Sequence, residues 1–123
     1  MSRIVVVEDN DKNMKLLRDV LGFHKHEVLE AVDGETGVAL VREHQPDLVL
    51  MDIQLPGING VEALRQLRAD PDTAGIPVLA VTASVMDQDR RQILEAGFDA
   101  FVSKPINLKE FLTVVAEALQ RPA

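Results

Sequence analysis

Residues 47–52 read Asp-Leu-Val-Leu-Met-Asp, four apolar residues, Leu48 to Met51, ending on a carboxylate. Leu55, Pro56 and Gly57 then stop the run. A short, unbroken apolar run closed by turn residues predicts a strand buried on both faces; a half-buried strand would alternate. Asp52 falls at its carboxyl tip, where the sheet is expected to meet solvent. Open α/β sheets bind ligands in the crevice outside the carboxyl ends of their strands. What else reaches that edge therefore decides the chemistry.

Four more apolar runs flank this one. Ile4 to Val7 ends on Glu8 and Asp9. Helical spacing of Met14, Leu17 and Leu21, with Val20 beside them, predicts a helix over 11–22, with Gly22 as its cap. Glu27 to Ala31 is a weaker strand. Asp33-Gly34 turns into a helix that reaches about His44, with Leu40 and Val41 facing in and Pro46 beyond its end. Val61, Leu64 and Leu67 mark a helix over 58–69, broken by Asp70-Pro71-Asp72. Val78 to Val81 ends on Thr82. Ser84 is placed to cap a fourth helix, polar from Asp87 to Gln92, anchored by Val85, Met86, Ile93 and Leu94 and closed by Gly97. Ala100 to Val102 ends on Ser103, Lys104 and Pro105. Asn107 with Glu110 resembles a capping box before a last helix built on Leu108, Phe111, Leu112, Val115 and Leu119. Val114 and Ala118 widen its apolar face, as core or as partner surface.

Five strands alternating with five helices predict an α/β fold: (βα)5, doubly wound, a five-stranded parallel sheet with helices on both faces. The tips carry Glu8 and Asp9, then Asp52, Thr82 and Lys104, while the second strand ends on Ala31 with nothing polar. A spatial order of 2-1-3-4-5, adopted by analogy with flavodoxin-like folds, suits this, with the second strand outermost and the third central.

A chain of 123 residues is one domain, 1–123. The last helix reaches Gln120, so no output domain is expected. No cysteine is present, which removes disulfides and thiolate metal sites. With 13 Lys and Arg against 20 Asp and Glu, the net charge of −7 argues against nucleic acid. The absence of Trp and Tyr leaves no stacking platform for bases or a flavin. The apolar runs are too short for a membrane span and no signal peptide opens the chain, so a cytoplasmic monomer is expected.

Three carboxylates in one pocket raise one another's pKa, and a hard divalent cation relieves that conflict. Mg²⁺ takes carboxylates, a carbonyl and waters, and keeps positions for phosphate oxygens. A hydroxyl and an ammonium beside it suit the remaining phosphoryl oxygens. The chemistry that uses Glu8, Asp9, Asp52, Thr82 and Lys104 together is acyl phosphate formation, with Asp52 as nucleophile.

These residues carry a resemblance. VVEDN at 6–10, LVLMDIQLPGINGVE at 48–62, VTA at 81–83, EAGFDAFVSKP at 95–105 and the capped last helix resemble response-regulator receiver domains end to end. EDNDKNMKLL and MDIQLPGINGVE are similar to stand-alone cell-cycle regulators of the DivK type and to receivers of hybrid kinases. The resemblance implies a two-component or phosphorelay switch, not an enzyme beyond self-phosphorylation and autodephosphorylation. Asp52 would take phosphate from a sensor histidine kinase or histidine phosphotransfer protein. Glu8, Asp9, Asp52 and the backbone carbonyl of Gln54 would surround Mg²⁺. Thr82 and Lys104 would hold the phosphoryl group, and Lys104–Pro105 would be cis. Phe101 stands where the family keeps its switching aromatic, without the hydroxyl of the common Tyr. A downstream protein effector would meet the face of helix 4, strand 5 and helix 5.

Plainer readings stand beside these. Asp52 alone could be a turn former, Thr82 a helix cap, Lys104 a solvated charge and Phe101 plain core. His24, His26 and His44 read as surface residues. Asp72, Asp87 and Asp89 read as solvated or capping charges, and Met14 and Met86 as core filler. Asp9-Asn10-Asp11 permits a haloacid-dehalogenase-like phosphatase or phosphotransferase using Asp9. A receiver-like module that binds without phosphorylation is the other rival.

Overall fold

The computed structural model describes residues 2–82, 87–104 and 106–120, with backbone alone for 87–90. The chain runs β1 (Arg3–Val7), α1 (Asp11–Phe23), β2 (Glu27–Ala31), α2 (Gly34–His44), β3 (Leu48–Asp52), α3 (Gly60–Ala69), β4 (Val78–Thr82), α4 (Asp87–Ala96), β5 (Ala100–Ser103) and α5 (Leu108–Gln120). All four strand pairings are parallel, in the order β2-β1-β3-β4-β5. This is the order expected by analogy, and β3 is central.

Strict alternation explains the unbroken apolar runs. Val5, Val7, Val49, Met51, Val78 and Ala80 pack against α2, α3 and α4 through Val38, Val41, Ala63, Leu64, Leu67 and Ile93. Ile4, Val6, Leu48, Leu50, Leu79 and Val81 face α1 and α5 through Met14, Leu17, Leu21, Phe111 and Val115. Leu48 to Met51 are fully buried. Truncating a side chain in such a strand costs about 2–5 kcal/mol. Asp52 therefore hangs from a strand with little freedom to move.

Several expectations need correction. Gly22 lies inside α1, and the helix ends one residue later, at Phe23, on a Schellman motif. His26 N donates to Leu21 O at 3.0 Å and Lys25 N to Gly22 O at 2.9 Å, with Lys25 in the left-handed region at φ 67°. Lys25→Gly should raise stability by about 0.5 kcal/mol, the relief of about 1–2 kcal/mol of left-handed strain less about 0.5–1 kcal/mol of added chain entropy. A lower urea midpoint for the variant would show that Lys25 is not strained.

Helix α3 begins at Gly60 instead of Ile58, because Asn59 caps it by accepting Glu62 N at 2.9 Å. Leu94 is exposed, so Ile93 is the described apolar anchor of α4. Ser84, Val85 and Met86 lie outside the described residues, as do the side chains of Asp87 and Asp89. Met14 and Ala118 are buried, and Val114 packs partly against the α1–α5 core. His24 is exposed, while His26 and His44 are half-buried. Asn107 accepts Glu110 N at 3.1 Å, one half of the expected box.

Candidate functional site

The carboxyl edge brings together the residues that end β1, β3, β4 and β5. Glu8 follows β1 directly. Its backbone N–H donates to Ala31 O at 2.9 Å, so the tip of β2 contributes through its carbonyl after all. The side chain is 1% exposed. Its Oε2 accepts Asn10 N at 3.2 Å. Asn10 also starts α1, its Oδ1 accepting Asn13 N at 3.0 Å.

Asp52 ends β3 and is 4% exposed, buried instead of meeting solvent as expected. Its Oδ1 accepts Gln54 N at 3.0 Å. Its Oδ2 accepts the Lys104 ammonium at 2.8 Å. The same ammonium lies 3.1 Å from Glu8 Oε1, an ion pair that is not aligned as a hydrogen bond. Lys104 is held by its backbone, its N–H donating to Thr82 O at 2.8 Å just past β5. It is not a freely solvated charge.

Thr82, buried, ends β4. With Gln54 it lines an open cleft of about 480 Å³ between the loop after β3 and α4. Phe101 is half-buried and packs on the α2–α3–α4 side of the sheet. Asp9 is exposed. The predicted cis bond involves Pro105, outside the described residues.

Glu8, Asp9 and Asp52 each present an oxygen within 4.8 Å of the other two. Burial first, then the neighbouring Asp52 carboxyl, pushes Glu8 up to about 7, against the pull of Lys104 and the Asn10 N–H. Burial works against the Lys104 charge too, but its bond to Asp52 and its closeness to both Asp52 and Glu8 outweigh that and hold its pKa above the usual lysine value. The buried Glu8 Oε1 keeps a lone pair with no aligned donor among the described residues. An all-oxygen donor set with one such atom suits a hard cation.

Sequence reasoning missed Gly60 and Glu35. A Cβ on Gly60 would stand 2.5 Å from Asp52 O and 2.8 Å from Ile53 Cα. Gly60 N donates to Ile53 O at 2.9 Å. A glycine inside the helix predicted over 58–69, where other residues are better formers, is the available signal.

A buried carboxylate gripped by an ammonium, beside two more carboxylates at the edge of a doubly wound sheet, is the arrangement the receiver resemblance implies. Residues 4–116 match the model of the response regulator receiver domain, and the chain belongs to that family, the phosphorylation-dependent switches of two-component signalling. It is 41% identical over 116 residues to the polar-differentiation response regulator DivK of Brucella anthropi, 94% of each chain. A putative response regulator from Chloroflexus aurantiacus superposes with TM-score 0.93 at 29% identity over 98% of each chain. The receiver domain of sensor histidine kinase PA1611 from Pseudomonas aeruginosa does so at 0.90, with 28% identity over 98% of each chain. That domain has a magnesium ion coordinated in its active-site cleft. Among the described residues no helix is long and apolar enough to cross a membrane.

Proposed function

We propose that this chain accepts a phosphoryl group on Asp52 from a phosphohistidine of a sensor kinase or phosphotransfer protein. The observation that carries the reading is the buried Asp52 carboxylate bonded to Lys104 at 2.8 Å with Glu8 alongside. Glu8, Asp9, Asp52 and the Gln54 carbonyl would hold Mg²⁺. When bound, the ion supplies charge neutralisation for a loose phosphoryl transition state. An Asp52 oxygen attacks phosphorus, the P–N bond to the donor imidazole breaks, and its electron pair returns to the ring. Lys104 then balances charge on the transferred group, and Thr82 donates to one of its oxygens.

The group's pull on Thr82 is the step that would let Phe101 turn inward and shift α4 against β5 and α5. Output then passes by contact with a protein effector at that face. The chain would act as one unit, a monomer in the cytoplasm, in a circuit of the polar-differentiation or cell-cycle kind. It would catalyse nothing beyond its own phosphorylation and dephosphorylation. Asp9 is exposed and Asp52 is the residue with the ammonium partner, which favours this reading over a phosphatase using Asp9.

Acetyl phosphate with Mg²⁺ tests the reading. One added phosphoryl group, mapped to Asp52 and lost in Asp52→Asn, is the expected mass result. An adduct on Asp9 would favour the dehalogenase-like rival. If neither acetyl phosphate nor a phosphohistidine donor modifies the chain, the binding module without phosphorylation is the better reading.

The Glu8 environment sets a pH dependence for metal uptake. Glu8 is pushed up to about 7 without metal, so Mg²⁺ must displace its proton below that pH. Calorimetric titrations should show affinity falling up to about tenfold per pH unit below 7 and levelling off above 8. A flat profile between pH 5.5 and 8 would mean that Glu8 is not a ligand.

A further inference from the structure

We infer that Glu35 is a positioning residue for the phosphoryl site, acting as a strut between α2 and the loop that carries Gln54. The inference rests on the receiver reading above. Glu35 sits in the first turn of α2, where an acidic residue is ordinarily explained by the helix dipole. Its carboxylate does something further. Oε1 accepts the backbone N–H of Ile58 at 3.0 Å, 23 residues along the chain.

The contact is tight on both sides. A Cβ on Gly57, whose φ is 73°, would stand 2.7 Å from Glu35 Oε1. One on Gly34 would stand 2.8 Å from Ile58 O. Two glycines thus let the start of α2 press against residues 57–58. From there the loop is fixed at Asn59, which caps α3, and at Gly60, which bonds back to Ile53 O. Gln54 lies between these ties and Asp52, its N–H on Asp52 Oδ1 at 3.0 Å. Partners that orient a ligand from behind typically change metal affinity by about 10–100-fold when removed. Glu35 lies outside the Glu8, Asp9 and Asp52 cluster, so it would act only through the loop.

The test compares Glu35→Ala, Glu35→Gln and Gly57→Ala with the natural chain. Readouts are Mg²⁺ affinity by calorimetry and amide exchange at Gln54 and Ile58 without metal. Glu35→Ala should weaken Mg²⁺ about tenfold and speed exchange at both amides. Glu35→Gln keeps an acceptor oxygen and should return both to within about twofold. Gly57→Ala should shift both readouts the same way as Glu35→Ala, with left-handed strain at φ 73° added, and the double variant should be less than additive for the shared contact. Unchanged Gln54 exchange and Mg²⁺ affinity in Glu35→Ala, with only Ile58 exposed, would reduce the bond to a local staple and overturn the inference. Failure of the natural chain to bind Mg²⁺ would instead count against the receiver reading, and the Gln54 exchange would still decide for or against the strut.

Discussion

Lys104→Met should slow phosphoryl uptake by about 100-fold or more, the usual effect of removing one preorganised charge from a transition state. It should also destabilise the metal-free fold. Lys104 is the cation that both Glu8 and Asp52 face, at 3.1 and 2.8 Å, and both carboxylates are buried. Removing one partner of a buried ion pair leaves the other charged, dry and unpaired, at about 3–5 kcal/mol. Partial exposure of Lys104 puts the expected loss near the lower figure.

The sign with pH follows from Glu8. Its folded pKa, about 7, lies above the usual 4.5, so the folded state holds more protons across that window. Stability from this group is complete below 4.5 and is lost as pH rises through 7. Without Lys104, which pulls Glu8 downward, the loss should be deeper and reach to higher pH. Urea denaturation at pH 8 and pH 5.5 should therefore show a larger Lys104→Met penalty at pH 8. An equal penalty at both would mean that Lys104 does not hold down the Glu8 charge. Mg²⁺ at pH 8 should restore part of the lost stability by serving as the missing cation.

What makes this site legible is that its residues stand at or just past the ends of apolar runs. Val7–Glu8, Met51–Asp52 and Val81–Thr82 are abrupt changes from buried to polar, and parallel topology aligns such changes at one edge. The same logic gave the two-faced core, because strands covered on both sides cannot alternate. Contacts between loops carry no such pattern. Glu35 reads as an ordinary first-turn acid until Ile58 is beside it, and Gly60 as a poor helix former near the start of a helix until Asp52 O is. Gly22 reads as the helix stop, while the left-handed residue is Lys25, just past the His24 cap, because a left-handed lysine leaves no trace in composition. Strand ends are usually open, and the sequence alone therefore puts Asp52 at the solvent edge. Here the Lys104 ammonium and the Gln54 N–H take up its oxygens with Glu8 alongside, and the burial of Glu8 in that cluster is what chiefly raises its pKa.

Gly60→Ala should cost about 3 kcal/mol, at the upper end of overpacking, and disturb the site as it does so. An added Cβ would meet Asp52 O at 2.5 Å, Ile53 Cα at 2.8 Å and Asp52 C at 3.2 Å. All three are backbone atoms, so no side chain can rotate away. The chain can yield only by lifting the start of α3 or by displacing the peptide that follows Asp52. Lifting α3 breaks the Gly60 N to Ile53 O bond and draws Leu64 and Leu67 from the core. Displacing the peptide moves the Gln54 N–H away from Asp52 Oδ1. Gly22→Ala is the matched control. A Cβ there meets nothing within 4 Å, and alanine is the better helix former by about 1 kcal/mol, so that variant should gain stability. Urea midpoints moving in opposite directions for the two variants are the expected result. A loss below about 1 kcal/mol for Gly60→Ala, with Mg²⁺ affinity unchanged, would mean that α3 and the Asp52 loop move apart freely, and that close packing at Gly60 does not fix the site.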